Sequence, residues 1–315
     1  MVHVNNFTYG PVTPVLGYVM SCLGCFLGLR CTTRARATHG AQRTRWLLLA
    51  TVSIATTGIW VMHFVAMLGF TIPGQTVRYN VPVTILSMVI AVVVVGIGLL
   101  TVGFGSAGPL SLLLGGVIIG FGVASMHYIG MGAVRVQASL TYHSALVAAS
   151  VIIAVIAGTA ALWMALRLDS VWSTLIASLV AGVAVNGMHY TGMAAVRAQA
   201  APGLVVSTAD TASATGFLLP LILGLSAVGF IFSAAIALSP TAAEIMEEGE
   251  LMKRIGQSQA AQSQAAQSQA RPWQAPPPQP YQPYQAARDE PEPDAPGSLF
   301  RPRQPGNQRR PSDQR

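Results

Sequence analysis

Residues 187–193 read GMHYTGM, residues 125–131 read SMHYIGM, and residues 61–67 read VMHFVAM. Each string lies inside a long apolar stretch, and an uncharged stretch of 18 or more residues is what a bilayer core requires. The histidines of successive copies are 64 and 62 residues apart, a spacing that fits two membrane crossings. The repeat therefore predicts three helix hairpins, each inserted with the same orientation.

The composition supports a membrane protein. Hydrophobic residues make up 52% of the 315 residues and charged residues 9%, whereas a soluble domain carries about 25% charged residues. We predict an all-α, polytopic bundle of seven transmembrane helices. The predicted spans are residues 11–30, 47–72, 81–103, 109–134, 144–166, 172–196 and 215–238.

The net charge of +7 sets the predicted orientation and does not indicate nucleic-acid binding. The excess lies in the first 243 residues, which contain nine arginines and two aspartates, Asp169 and Asp210. Arginines concentrate in cytoplasmic loops, so the segment after the first span is predicted to be cytoplasmic, with the N-terminus outside and the C-terminus inside. The arginines of that segment are Arg30, Arg34, Arg36, Arg43 and Arg45.

The chain divides by composition into three parts. Residues 1–240 form the predicted membrane domain, and residues 241–255 a short amphipathic juxtamembrane segment. Residues 256–315 are rich in Gln, Pro and Arg, cannot bury a core, and are predicted to be a disordered cytoplasmic tail. The tail carries no recognisable enzyme motif, so we expect no enzymatic activity. A cytoplasmic signalling protein is the expected partner of residues 241–315.

The repeated strings supply a candidate metal site. A His at position i and a Met at i+4 lie on one helical face. Each His lies four to five residues past the midpoint of its span, about 6–8 Å to the outer side of the bilayer centre, so the three histidines can converge. The candidate ligand pairs are His63 with Met67, His127 with Met131, and His189 with Met193. Additional candidates, as ligands or as neighbours of the ligands, are Met62, Met126, Met188, Tyr128 and Tyr190.

The chemistry of this ligand set favours copper. Imidazole and thioether are soft ligands that suit copper, especially Cu(I). No carboxylate lies near the motifs, which argues against Mg, Ca, Mn and non-haem iron. Ionisable residues within a membrane are usually functional. Three alternatives remain: bis-His haem binding, copper-ion transport, and a structural role in which His bonds across helices and Met fills gaps.

The three strings resemble the MHYT-domain family of bacterial integral membrane sensors over roughly residues 11–240. Residues 188–191 match the tetrapeptide in full, residues 126–129 depart at the last position, and residues 62–65 depart at the last two. The resemblance implies a seven-helix domain in the bacterial plasma membrane. It also implies copper held by the His and Met residues, and sensing of a diatomic gas such as O2, CO or NO. Many members of the family carry cytoplasmic enzymatic domains, so this chain is expected to signal through a partner.

Overall fold

The computed structural model describes residues 4–105, 108–168, 170–201, 210–238 and 242–269, with residues 278 and 280. Seven helices in this part of the chain are long and apolar enough to cross a membrane, which confirms the predicted bundle. They are α1 (Val12–Arg36), α2 (Gly40–Met67), α3 (Val81–Phe104), α4 (Pro109–Gly132), α5 (Ser144–Arg167), α6 (Val171–Ala194) and α7 (Leu219–Leu238). A π-helical stretch, Ser53–Val61, lies within α2, and another, Ala214–Leu218, leads into α7.

The even-numbered and odd-numbered helices have different places in the bundle. Helix α1 packs against α2 and α6, α3 against α2 and α4, and α5 against α4 and α6. The three inner helices, α2, α4 and α6, are those that carry the repeated strings. Helix α7 lies against α1 and α2. Side chains such as Val93, Leu113 and Ile152 point outward and are about half exposed or more, as a lipid-facing surface requires.

Small residues allow the helix backbones to touch. A Cβ atom on Gly24 of α1 would lie 2.2 Å from the backbone nitrogen of Gly58 in α2. A Cβ atom on Gly120 of α4 would lie 2.4 Å from the Cα atom of Val155 in α5. Close approach of backbones maximises van der Waals contact where lipid provides no hydrophobic driving force between helices.

In the described part of the chain, five short strands cover one end of the bundle, which we call the strand end. They are β1 (Arg78–Asn80), β2 (Val134–Arg135), β3 (Ala138–Tyr142), β4 (Val196–Ala200) and β5 (Thr211–Ser213). They form two antiparallel sheets, ordered β2-β1-β5 and β3-β4. The prediction of an all-α fold did not include these strands. They pair the backbone groups of loops that leave the inner helices, where unpaired groups would be costly.

The opposite end, which we call the arginine end, differs from the predicted boundaries. Helix α1 continues to Arg36 rather than to residue 30, and α2 begins at Gly40 rather than at residue 47. The connection is therefore only residues 37–39, and the five arginines predicted for a loop lie on helices.

Arginines at this end cap neighbouring helices, which gives a physical reason for the longer helices. Arg36 donates hydrogen bonds to the carbonyl oxygens of Leu166 and Leu168 at the C-terminus of α5. Arg43 donates to the carbonyl oxygen of Gly103 near the C-terminus of α3. The last carbonyls of a helix have no intrahelical partner and carry partial negative charge, so guanidinium groups stabilise them.

Beyond the bundle, helix α8 spans Ala242–Gln269. It includes residues 242–255 of the predicted juxtamembrane segment and continues through residues 256–269, which were predicted to be disordered. Alanine and glutamine favour helix, and the Gln-Ser-Gln-Ala-Ala repeat is rich in both. All side chains from 249 to 267 are exposed. The rest of the predicted tail, residues 270–315, lies outside the described residues except for 278 and 280.

We predict that Gly24→Ala destabilises the bundle by about 2 kcal/mol or more, because the new methyl group would overlap backbone atoms that cannot move independently. The matched control is Gly224→Ala in α7, where no atom lies within 4 Å of the added Cβ. Thermal unfolding in detergent, followed by circular dichroism, measures both. Equal unfolding temperatures for the two variants would contradict the close α1–α2 packing.

Candidate metal centre

Three histidines from the inner helices meet at one point in the bundle. His63, His127 and His189, hereafter the His triad, are at most 2% exposed. The Nδ1 atom of His63 lies 3.0 Å from Nδ1 of His189 and 3.2 Å from Nδ1 of His127. The ring centroids are 4.9 to 5.1 Å apart, and the ring planes are nearly perpendicular to one another. Each ring thus faces the edge of a neighbouring ring, and the three rings form one compact cluster.

The inner helices bring the triad together because they run in the same direction. His63 lies four residues before the end of α2, and His127 and His189 each lie five residues before the ends of α4 and α6. At 1.5 Å per residue, all three are about 6–8 Å from the strand end of their helices. The His triad is therefore a product of the hairpin repeat.

Glycines on neighbouring inner helices provide the space for two of the rings. A Cβ atom on Gly130 of α4 would lie 2.7 Å from Nε2 of His63. A Cβ atom on Gly192 of α6 would lie 2.5 Å from Nε2 of His127. Both glycines follow the histidine of their own string by three residues, and Ala66 occupies that position in the first string.

The His triad borders a small internal cavity that is too narrow to admit water. Each inner helix contributes three residues to its lining: the histidine, the methionine before it, and an aliphatic residue four positions before it. These are His63, Met62 and Ile59 of α2, His127, Met126 and Val123 of α4, and His189, Met188 and Val185 of α6.

The structure separates the two sets of methionines. Met62, Met126 and Met188 line the cavity, whereas Met67, Met131 and Met193 are buried but do not. Helical side chains lean towards the N-terminus of their helix. Residues before each histidine therefore line the cavity together with its ring, and residues after it lie nearer the strand end.

The two candidate tyrosines also lie outside the cavity lining. The Tyr128 hydroxyl hydrogen-bonds with Ser150 Oγ of α5 at 2.7 Å. The Tyr190 ring stacks on Phe7, with 5.4 Å between centroids, and its hydroxyl is buried without a hydrogen-bond partner in the described structure.

The His triad has the spacing that a metal ion requires. Three imidazole nitrogens at about 2.0 Å from a tetrahedral metal would be about 3.3 Å apart, close to the two observed separations. Two Nδ1 atoms in such close contact require either a proton or a cation between them. The outer nitrogens, Nε2 of His63 and of His127, are buried and have no hydrogen-bond partner in the described structure. Neutral imidazoles and thioethers together form an uncharged, soft donor set.

Two features of the site were not recognised in the sequence. One is the aliphatic residue four positions before each histidine, and the other is the small residue three positions after it. Both recur in all three repeats, so alignment of the internal repeats contains the information. Single apolar and small residues are common in membrane helices, which is why neither stood out.

A family model described as "Bacterial signalling protein N terminal repeat", MHYT, matches residues 57–116 and 120–178. Each matched range contains one histidine of the triad, His63 or His127. The third string, around His189, lies beyond the matched ranges although it contains the full tetrapeptide.

Several curated signalling proteins resemble this chain. The bifunctional diguanylate cyclase/cyclic di-GMP phosphodiesterase MucR of Pseudomonas aeruginosa is 34% identical over 60% of this chain and 28% of its own length. The cyclic di-GMP phosphodiesterase NbdA of the same organism is 36% identical over 61% of this chain and 25% of its own length. The signaling protein YkoW of Bacillus subtilis is 30% identical over 62% of this chain and 24% of its own length.

The chain thus spans about a quarter of the length of the curated relatives it matches. No solved structure matches it. The matched repeats, the bacterial relatives and the seven apolar helices confirm the resemblance stated above, and identify a multi-pass protein of the bacterial plasma membrane.

We predict that Gly192→Ala destabilises the metal-free protein by about 1–3 kcal/mol, because the added methyl group would displace the packed ring of His127. Gly187→Ala is the matched control on the same helix, since a Cβ there meets no atom within 4 Å. Both are measured by thermal unfolding in detergent. If Gly192→Ala unfolds at the temperature of the control, the ring of His127 does not occupy the position described.

Proposed function

We propose that the His triad binds a copper ion and that the bundle, whose repeats match the MHYT family model, is the sensory part of a signalling system. One observation carries the proposal. Nδ1 of His63 lies 3.0 Å from Nδ1 of His189 and 3.2 Å from Nδ1 of His127, beside a cavity whose other polarisable lining groups are thioethers.

The uncharged donor set favours Cu(I) over divalent ions. Burial of a charge in an apolar interior is costly, and the cost rises with the charge. The triad supplies no negative charge to offset it, so a monovalent soft ion fits better than a hard divalent one. Haem is the less favoured cofactor, because a porphyrin would have to separate rings that are already in contact.

The arrangement is suited to detection of a diatomic gas or of a redox change. Copper bound by the triad would supply a redox-active centre with affinity for O2, CO or NO. Met62, Met126 and Met188 exclude water from its surroundings, and the three histidines connect it to all three inner helices. A change in the ion's preferred geometry would therefore shift the packing of those helices against one another.

Copper transport is the second candidate, and the cavity lining disfavours it. Towards the arginine end the cavity is lined by Ile59, Val123 and Val185, whose side chains offer no ligand to a cation that continues across the membrane. A site that can be filled from one side only suits a sensor better than a transporter.

In the proposal, the membrane bundle detects the signal and another protein produces the response. MucR and NbdA are named for cyclic di-GMP synthesis or breakdown, and this chain corresponds to about a quarter of each. We assign no catalytic step to the membrane bundle. In the proposal, a cytoplasmic signalling protein receives the signal through residues 241–315, of which the exposed surface of α8 is the described part.

The first test is metal content. After Cu(I) loading and desalting, detergent-purified protein is expected to retain about one copper ion per chain, measured by mass spectrometry. His63→Ala/His127→Ala/His189→Ala should lose it. The control is His39→Ala/His143→Ala, which removes two exposed histidines and should retain copper. Absence of copper from the loaded wild type would leave the triad as a polar packing contact.

The second test compares the two methionine sets. We expect Met62→Leu/Met126→Leu/Met188→Leu to weaken Cu(I) affinity about tenfold or more, because thioether contact with the ion is lost while side-chain volume is retained. Met67→Leu/Met131→Leu/Met193→Leu is the matched control and should bind as wild type. Affinities are measured by competition with a chromophoric Cu(I) chelator. A larger loss in the control would assign the ligand role to the methionines after the histidines.

A further inference from the structure

Six buried side-chain oxygen atoms have no hydrogen-bond partner among the described residues, namely those of Asn6, Thr13, Ser21, Gln75, Asn186 and Tyr190. Four of them belong to Asn6 and Thr13 near the start of the chain, and to Asn186 and Tyr190 of α6. Thr13 is only 4% exposed. A buried oxygen without a partner destabilises a protein unless water or a ligand satisfies it. These four atoms are therefore candidates for contact with water or with a cation.

The other two grooves of the bundle lack this feature at the matching repeat positions. In the groove filled by α3, Trp60 Nε1 donates to Ser87 Oγ at 3.0 Å. In the groove filled by α5, the Tyr128 hydroxyl hydrogen-bonds with Ser150 Oγ. A serine of the outer helix satisfies the inner helix in both cases.

Among the described residues, the third groove, filled by α1, shows no such serine contact. Asn186 precedes its histidine by three residues, as Trp60 does, and Tyr190 follows it by one, as Tyr128 does. Gly17 of α1 stands beside Asn186: a Cβ there would lie 3.5 Å from Asn186 Oδ1. The oxygens of Asn186 and Tyr190 thus keep their hydrogen-bonding capacity.

Residues of this groove lead from the strand end to the metal cavity. Asn6 and Thr13 both border Gly69, near the end of α2. Gly17 follows Thr13 by one helical turn and adjoins both Asn186 and Met62, whose Cγ would lie 3.5 Å from a Cβ on Gly17. Met62 in turn lines the cavity beside His63. One methionine therefore separates the polar groove from the His triad.

We propose that this α1/α6 groove, defined by Asn6, Thr13, Gly17, Asn186 and Tyr190, holds bound water and is the path by which a hydrated metal cation reaches the His triad. The inference rests on the proposed metal-binding function. Oxygen ligands replace the hydration shell of the cation in steps, and Met62 is the first soft ligand at the inner end. An apolar gas crosses lipid directly and does not require polar groups, so the groove is assigned to the cation.

The first experiment measures the rate of Cu(I) uptake by metal-free protein after mixing with a weak Cu(I) complex. Asn186→Leu and Tyr190→Phe are each expected to slow uptake tenfold or more, with the final copper content unchanged. Tyr128→Phe is the matched control, because it removes the equivalent hydroxyl from another groove, and it should stay within twofold of wild type. Equal rates in Tyr190→Phe, Asn186→Leu and Tyr128→Phe would overturn the proposal.

The second experiment measures how accessible the groove is from water, in protein that contains no metal. In a background of Cys22→Ser, Cys25→Ala and Cys31→Ala, Thr13→Cys is compared with Thr84→Cys, a buried threonine of the outer helix α3. A cationic methanethiosulfonate reagent in the aqueous phase is expected to modify Thr13→Cys at least tenfold faster. Similar rates would overturn the groove assignment. Fast modification of Thr13→Cys in a protein that binds no copper would support water access through the groove. The same result would refute the metal-sensor function.

Discussion

The contact of three imidazoles inside a bilayer is the constraint on which the rest of this structure depends. Lipid offers no hydrogen-bond partner, so three polar rings are stable there only if they meet one another or a shared ion. To meet, they must lie at one depth on helices that run in the same direction. An outer helix must then return the chain between successive inner helices. The alternation of inner and outer helices follows from this requirement.

The repeated string supplies more than a ligand. Each copy places a thioether before the histidine and a small residue after it, as Met126 and Gly130 do on either side of His127. The small residues leave room for a neighbouring ring, and the thioethers close the cavity to water. The same short sequence therefore positions the imidazole, excludes solvent and determines the softness of the donor set. These properties together favour a desolvated soft ion over a hydrated hard one.

One of the three grooves differs from the other two. Because of this difference, the two sides of the site along the bundle axis are not equivalent. Helix α1 presents Gly17 beside Asn186, whereas the other outer helices present Ser87 and Ser150 to their inner partners. The groove that keeps unpaired oxygens leads to the strand end of the bundle. The opposite side of the cavity is aliphatic. A buried site with one polar approach and one apolar boundary is suited to loading from one side of the membrane, as the proposal requires.

The sequence by itself determined the seven spans, the hairpin repeat and the common depth of the histidines, because span length and motif spacing are local properties of the chain. It did not determine which methionines face the cavity, or that Gly130 and Gly192 receive neighbouring rings. Both depend on how each helix is rotated about its axis, and contacts with distant segments set that rotation. The strands and the longer helices at the arginine end likewise needed partners far away in sequence, such as Leu166 for Arg36. Only the tertiary structure brings those partners together.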